Sequence, residues 1–380
     1  MTTPWQRLKQ AAALQEPDQV PLALIVDSPW LPGYAGINTL DFFLDPDLWY
    51  KIHRELLDRW PNVAWIPGFW VEYGMASEPS AFGARIHWHD DRPPSVEPVV
   101  EDPRHWADAP LPNVLEDGLM PLVLRLTGRA EARLNAEGLG INMVAARGPM
   151  VTAGWIMGLT SLMTGLVEQP AVIQRCLENI TTTLIAWLHA QLDMLTNPEG
   201  ILLLDDIVGM VSVEHYDEFV APHLQRIFAE FDGLVRIYHN DTPCPHLYPS
   251  LAEAGFDIFN FTHEVDIAQT KAAMGHRVAL MGNVPPLHIA VRQPPEVVAE
   301  FAQASLDRGG PGGGMILSVG GGVSPDTPAA SIDAMLAVAE AWQPPQPGQP
   351  VGDWDELLER YKISNTGRRT RDRQRRDRRG

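Results

Sequence analysis

Gly200–Asp206 reads GILLLDD, an unbroken apolar run stopped by two adjacent carboxylates. A strand exposed on one face alternates apolar and polar residues, whereas a continuous apolar run suits a parallel strand covered on both faces. Seven further short runs recur along the chain: Val20–Val26 (VPLALIV), Asn62–Pro67 (NVAWIP), Gly140–Ala146 (GINMVAA), Val235–Asn240 (VRIYHN), Gly255–Phe261 (GFDIFNF), Arg277–Gly282 (RVALMG) and Met315–Gly320 (MILSVG). Helical patterns fill the gaps, at Pro170–Met194, Glu214–Phe231, Pro243–Ala254, Asp266–Met274, Pro294–Leu306 and Ala329–Trp342. Strand–helix alternation repeated eight times predicts an α/β chain closed as a (β/α)8 TIM barrel, in preference to a doubly wound sheet. The barrel is expected over residues 1–345 as a single domain, with an insertion at about 75–119 and a C-terminal extension over 346–380. Within the insertion, HWHDDRPPSVEPVVEDPRHW (His87–Trp106) breaks the cadence and reads as a hairpin plus loop.

Composition narrows the function classes. The 380 residues hold 29 Lys+Arg against 48 Asp+Glu, a net charge of −19, which argues against a nucleic-acid partner. The 45% of hydrophobic residues is too high for a disordered chain. One segment reverses the charge: Gly367–Gly380 (GRRTRDRQRRDRRG) carries eight Arg and two Asp, and reads as an Arg-rich disordered tail. Two cysteines, Cys176 and Cys244, make no disulfide framework and suit a reducing compartment. With no apolar leader and no run long enough to span a bilayer, a cytoplasmic protein without membrane contact is expected.

In a barrel, chemistry collects beyond the carboxyl ends of the strands. Reading just past each run gives Asp27, Glu72, Arg147, the pair Asp205 and Asp206, then His239 with Asp241, His263 with Glu264, Asn283, and Gly320–Gly322. His239, Asp241 and Asp205 are the candidate catalytic residues, acids and an imidazole on neighbouring loops that suit metal binding or proton transfer. Capping of the helix that follows competes with a site role for Asp205 and Asp206, about evenly for Asp206 and less for Asp205. Trp30, Trp70, Glu72, Arg147, Trp155, His263 and Asn283 are candidate substrate contacts. The cluster His87, His89, Asp90 and Asp91 reads as a solvated hairpin, and Gly309–Gly314 as a lead-in to the last strand rather than a phosphate cradle, since no Lys-Ser/Thr and no helix follow it.

Several blocks, in order, resemble the uroporphyrinogen decarboxylase superfamily. RLKQAAALQEPDQVP (Arg7–Pro21) resembles its opening, RGPMVTAGWIMG (Arg147–Gly158) its GP block, and HNDTPCPHLYPSLAEAGFDIFNF (His239–Phe261) its H-x-C-G segment with the stretch beyond. MGNVPPLHIAVRQPPEVV (Met281–Val298) and ILSVGGGVSPDTPAASIDAM (Ile316–Met335) are similar to its GN and last-strand blocks. The resemblance implies a (β/α)8 barrel and two branches of activity: cofactor-free decarboxylation of uroporphyrinogen, and corrinoid-dependent methyl transfer that commonly uses zinc. The decarboxylase branch holds its substrate carboxylates with an Arg-rich loop after the first strand, but here that loop is DSPWLPGYAG (Asp27–Gly36), without any Arg. The methyltransferase branch binds zinc through H-x-C and a later Cys. His239 matches, Asp241 stands at the first Cys and Gly321 at the second, with Cys244 as a substitute ligand.

The function expected from these residues and this resemblance is methyl transfer between a small methylated substrate, a methoxy compound or methylamine, and a corrinoid (cobalamin). The corrinoid would be delivered by a partner corrinoid protein, with Zn2+ held by His239, Asp241 and Cys244. A homodimer is compatible with this reading. The alternatives are a cofactor-free decarboxylase or lyase acting on a small carboxylic acid anchored by Arg147, and a non-catalytic barrel.

Overall fold

The computed structural model describes residues 2–99, 102–346 and 351–363. Its strands are β1 (Leu22–Ile25), β2 (Val63–Ile66), β3 (Arg85–His87), β4 (Ser95–Glu97), β5 (Met143–Arg147), β6 (Gly200–Leu204), β7 (Val235–Asn240), β8 (Ile258–Phe261), β9 (Ala279–Val284) and β10 (Met315–Val319). Strands β3 and β4 form an antiparallel hairpin inside the insertion. The other eight are the eight apolar runs, and they form one parallel sheet in the order β2-β1-β10-β9-β8-β7-β6-β5. This sheet curls into a nearly closed (β/α)8 barrel with the helices outside it.

Alternation sorts each strand into two faces. Ala23 and Ile25, Ala64 and Ile66, Met143 and Ala145, Leu202 and Leu204, Ile237, Ile258, Ala279 and Met281, and Ile316 share one inner cluster. Their neighbours Leu24, Trp65, Val144, Leu203, Tyr238, Phe259, Leu280 and Leu317 join the larger cluster under the helices. Leu8 and Ala11 of the helix Pro4–Ala12 belong to the inner cluster and are fully buried, so this first helix plugs the barrel floor. Chemistry is left only the opposite end, where the strands point their carboxyl termini.

The barrel has one seam. Strands β2 and β5 end the ladder order and are not paired with each other. The open edge of β5 must still satisfy its backbone groups. Gln191 Nε2 donates to the Ala145 carbonyl (3.1 Å), and the Arg147 amide donates to Glu78 Oε1 (3.1 Å). Both partners are buried, so side chains do there what a neighbouring strand does elsewhere.

Proline explains where helices depart from the sequence pattern. Glu214–Phe231 is expected as one helix but is two, Val213–Phe219 and Ala221–Glu230. Pro222 lacks the N–H that a continuous helix needs and sits instead in the first turn of the second helix. Of Pro243–Ala254, only Tyr248–Leu251 is helical, after Pro243 and Pro245. The Gly-rich lead-in to β10 is pinned by Lys271 Nζ, which donates to the carbonyls of Pro311 (2.7 Å) and Gly313 (2.9 Å). In the extension, Trp354 of helix Trp354–Arg360 is fully buried, edge-on to Phe301 at 5.6 Å. The Arg-rich tail lies outside the described residues. No single helix among the described residues is long and apolar enough to cross a membrane.

His53 shows how burial couples to pH. It lies among Trp49, Phe69 and Phe42, with Nδ1 2.9 Å from the Trp49 carbonyl oxygen. Burial pushes its imidazole down to about 4. The unfolded chain therefore binds a proton on this group near pH 6.5, while the folded chain stays neutral down to about 4. Folding stability is expected to fall as pH drops through that window. Denaturant titrations at pH 7 and pH 4.5 should show the His53→Phe protein losing less stability between the two than the parent. Equal losses in both would mean that His53 titrates normally.

Candidate active site

Continuing the inward alternation beyond the strand ends brings Asp206, after Leu204, and Asp241, after His239, to the barrel mouth. Strands β6, β7 and β8 hold Leu204, His239 and Asn260 in register. Asn260 is fully buried and donates through Nδ2 to the carbonyls of Met281 (2.9 Å) and Val319 (3.3 Å). That fixes the orientation of its amide. Its Oδ1 must then accept, and it takes the His239 Nδ1–H at 2.6 Å. The proton on Nδ1 leaves Nε2 facing the mouth, 3.3 Å from Asp206 Oδ1.

Asp206 Oδ1 also accepts from the Asp241 amide at 3.1 Å. The ligand atoms of Asp206, His239 and Asp241 all lie within 4.8 Å of one another. Burial works against a charge on His239, but Asp206, then Asp241 and Asn260, outweigh it and raise the imidazole to about 9. Asp206 is buried enough to be pushed up, yet His239 beside it holds its carboxyl below the usual range. Asp241, on the solvent side, is raised by loss of water and then by Asp206. Asp27 joins the same field: burial and Glu72 push its carboxyl up to about 7, against Arg147 and His239. The mouth thus combines Asp27, Glu72, Asp206 and Asp241 with Arg147 and His239 as the cations that act on them among the described residues.

Two oxygen donors and an imidazole nitrogen form a hard ligand set, which fits a divalent cation. A Cβ built on Gly321, whose φ is +125°, would lie 3.0 Å from Asp241 Oδ2. Positions 241 and 321, where the resemblance expects thiolates, therefore do face each other.

Asp205 does not belong to this cluster. The same alternation that turns Asp206 inward turns Asp205 outward, where it is fully buried. Its Oδ1 accepts from the Val151 amide (2.7 Å) and its Oδ2 from the Met150 amide (3.2 Å), at the start of helix Pro149–Met157. Burial pushes this carboxyl up to about 8, against the two amides that favour its charge. A Cβ at Gly148 would collide with the Asp205 side chain, so this position is a glycine for room.

Cys244 also stays out. It is buried in the apolar cluster under the helices, and the ligand group at the mouth is Asp206, His239 and Asp241 without it. Trp30 is fully buried, stacks on Trp65 and donates to the Thr327 carbonyl (3.0 Å), which makes it packing rather than a substrate contact. Arg147 is buried over the Trp70 ring at 5.0 Å and donates to the Gly74 carbonyl (3.3 Å). One guanidinium nitrogen is thus bonded to the protein, and Trp70 lies beneath it. Trp155 is half-buried against the core on helix Pro149–Met157.

Glu72 is buried and accepts from the Ser28 amide (2.8 Å) and the Gly74 amide, so it ties the first two loops together. Asn283 is buried and donates to the carbonyls of Val265 (2.8 Å) and Thr262 (3.4 Å). Burial, then His288, lowers His263 to about 4. Of the sequence candidates, His239 and Asp241 come together. Asp206 and Asn260 complete the site, and inward alternation is the signal that selects both.

A family model described as uroporphyrinogen decarboxylase (URO-D) matches residues 3–342, so the chain belongs to that family. The uroporphyrinogen decarboxylase of Coxiella burnetii (strain RSA 493 / Nine Mile phase I) is 27% identical over 358 residues, covering 87% of this chain and 93% of its own. That of Aromatoleum aromaticum is 25% identical over 347 residues, covering 86% and 93%. A methyltransferase from Methanosarcina mazei shares the fold with a TM-score of 0.77 at 20% identity, over 89% of this chain and 98% of that one.

The two acids should separate experimentally. Asp205→Ala strands two buried amides and is expected to cost about 2–4 kcal/mol in denaturant unfolding. Asp206→Asn should cost less, while lowering the His239 titration midpoint, read by NMR of the ring nitrogens, from about 9 by at least one unit. Because the folded value lies above 6.5, the stability that His239 contributes is full below pH 6.5 and is lost as pH rises through 9. A midpoint unmoved in Asp206→Asn would show that the pair is not formed.

Proposed function

We propose that this protein is a methyltransferase that moves a methyl group between a small methylated substrate, a methoxy compound or methylamine, and a corrinoid carried by a partner protein. The observation that carries the reading is the charge of the mouth. Asp206 and Asp241 flank His239, Asp27 lies in the same field, and the loop Asp27–Gly36 has no Arg. Uroporphyrinogen, the octacarboxylate in the names of the relatives, would meet like charge there. A neutral ether or a cationic amine would not.

Breaking a methyl–heteroatom bond leaves the electron pair on oxygen or nitrogen. That atom leaves more readily when protonated or bound to a Lewis acid. At neutral pH, His239 raised to about 9 carries a proton on Nε2. Asn260 aims it and Asp206 stabilises its charge; with a methoxy donor the proton passes to the oxygen as the methyl leaves, whereas a cationic amine departs as the neutral amine and needs no proton. Asp241, at the solvent edge, holds a cationic donor by its charge. The partner corrinoid supplies the methyl acceptor. Should zinc take part, Asp206, His239 and Asp241 would hold it, with Nε2 deprotonated, and it would supply Lewis acidity to the same heteroatom. A reducing cytoplasm suits the two cysteines, both buried and unpaired.

The test is methyl transfer to free cob(I)alamin from methoxyaromatic, methanol and methylamine donors. On the donor used best, His239→Ala is expected to fall by about 10²–10⁴, the usual contribution of a positioned general acid. Unchanged turnover in that variant removes His239 from the chemistry. Carbon dioxide release from uroporphyrinogen without corrinoid would favour the decarboxylase reading instead.

A further inference from the structure

A second cavity opens beside the mouth, away from His239. It opens to solvent between helices Thr39–Leu44, Pro46–Arg59 and Met120–Ala136 and the loop after β2. Its walls are aromatic: Phe42, Phe43, Trp49, Tyr50 and Tyr73. Trp88, from the β3–β4 hairpin, extends the wall edge-on to Phe43 (6.2 Å) and Tyr73 (5.8 Å), and is 44% exposed. Flat side chains at several angles around one space suit a flat apolar guest.

The charges set which end of that guest goes where. Inside, Glu72 is buried, with its carboxylate turned to the Ser28 and Gly74 amides. A second anion placed deep would meet that charge. At the rim stand Arg129 and Arg133, one helical turn apart on helix Met120–Ala136. Arg133 is committed, 2.6 Å from Asp47 and over the Tyr50 ring at 3.7 Å. Arg129 is exposed, and it makes no hydrogen bond or ion pair among the described residues. Arg129 thus places an unpaired cation at the lip of the aromatic cavity.

We infer that this cavity binds an aryl carboxylate, its ring among Phe42, Phe43, Trp49 and Tyr50 and its carboxylate at the rim against Arg129. Affinity comes from the ring, since an ion pair in water adds little, and the choice of anion over cation comes from Arg129. Glu72 links the floor of the cavity to Ser28 in the loop after β1, so a bound ligand lies against the loops that frame the mouth. The inference does not rest on methyl transfer.

The test is calorimetric titration of the full-length protein with 2-naphthoate, 2-naphthalenemethanol and 2-naphthylmethylammonium, which share a ring and differ in charge. The expected order is carboxylate tightest and ammonium weakest. Arg129→Gln, an exposed change that should leave the fold intact by circular dichroism, is expected to weaken 2-naphthoate about two- to fivefold and the alcohol hardly at all. Phe43→Ala should weaken all three. His239→Ala should bind 2-naphthoate unchanged, even if inactive. The inference is overturned if the ammonium binds as well as the carboxylate, if Arg129→Gln has no effect, or if 2-naphthoate binding is lost in His239→Ala.

Discussion

The hydrogen bond from His239 Nδ1 to Asn260 Oδ1 organises the mouth of this barrel. It is strong in consequence because the Asn260 amide has no freedom: its nitrogen is already committed to the carbonyls of two further strands. Four adjacent strands, β7 to β10, thus decide which nitrogen of one imidazole carries a proton. Everything at the mouth depends on that choice. It turns Nε2 toward Asp206, lets the pair share charge, and places Asp241 where its amide can join. An apolar residue at 260 would leave the ring free to rotate, and the same three ionisable residues would form no defined site.

Two neighbouring aspartates divide the work beneath this arrangement. Asp206 faces inward and is chemically available. Asp205 faces outward and holds the first turn of helix Pro149–Met157 through two backbone amides. A helix start buried against a barrel needs such an acceptor, since its leading N–H groups have no intrahelical partner. The room for it is made at Gly148, where a side chain would collide with the carboxylate. Structural and reactive acids therefore sit side by side because strand geometry sends consecutive residues to opposite faces.

The charge pattern separates this mouth from one built for polyanions. Acids flank His239, and Arg147 among them is buried against Trp70 and the Gly74 carbonyl. Arg129, exposed and without a partner among the described residues, belongs to the aromatic cavity nearby. Family membership fixes the barrel and its connectivity, but the local signs of charge decide what each opening can receive.

The eight apolar runs, their spacing and the adjacent polar residues were legible from the chain alone. Burial on both faces of a parallel strand writes a continuous apolar signature into local sequence. His239 and Asp241 were legible for the same reason, as polar residues at the end of such a run. What the linear order did not settle was which of Asp205 and Asp206 faces the interior. That depends on the phase of the alternation where the strand gives way to its loop. Nor could it show that Trp30 and Glu72 spend their polar groups on protein partners, or that Asn260, inside an apolar strand, sets the tautomer of a histidine on the next. Those are contacts between residues far apart in sequence, and only the closure of the sheet brings them within bonding distance.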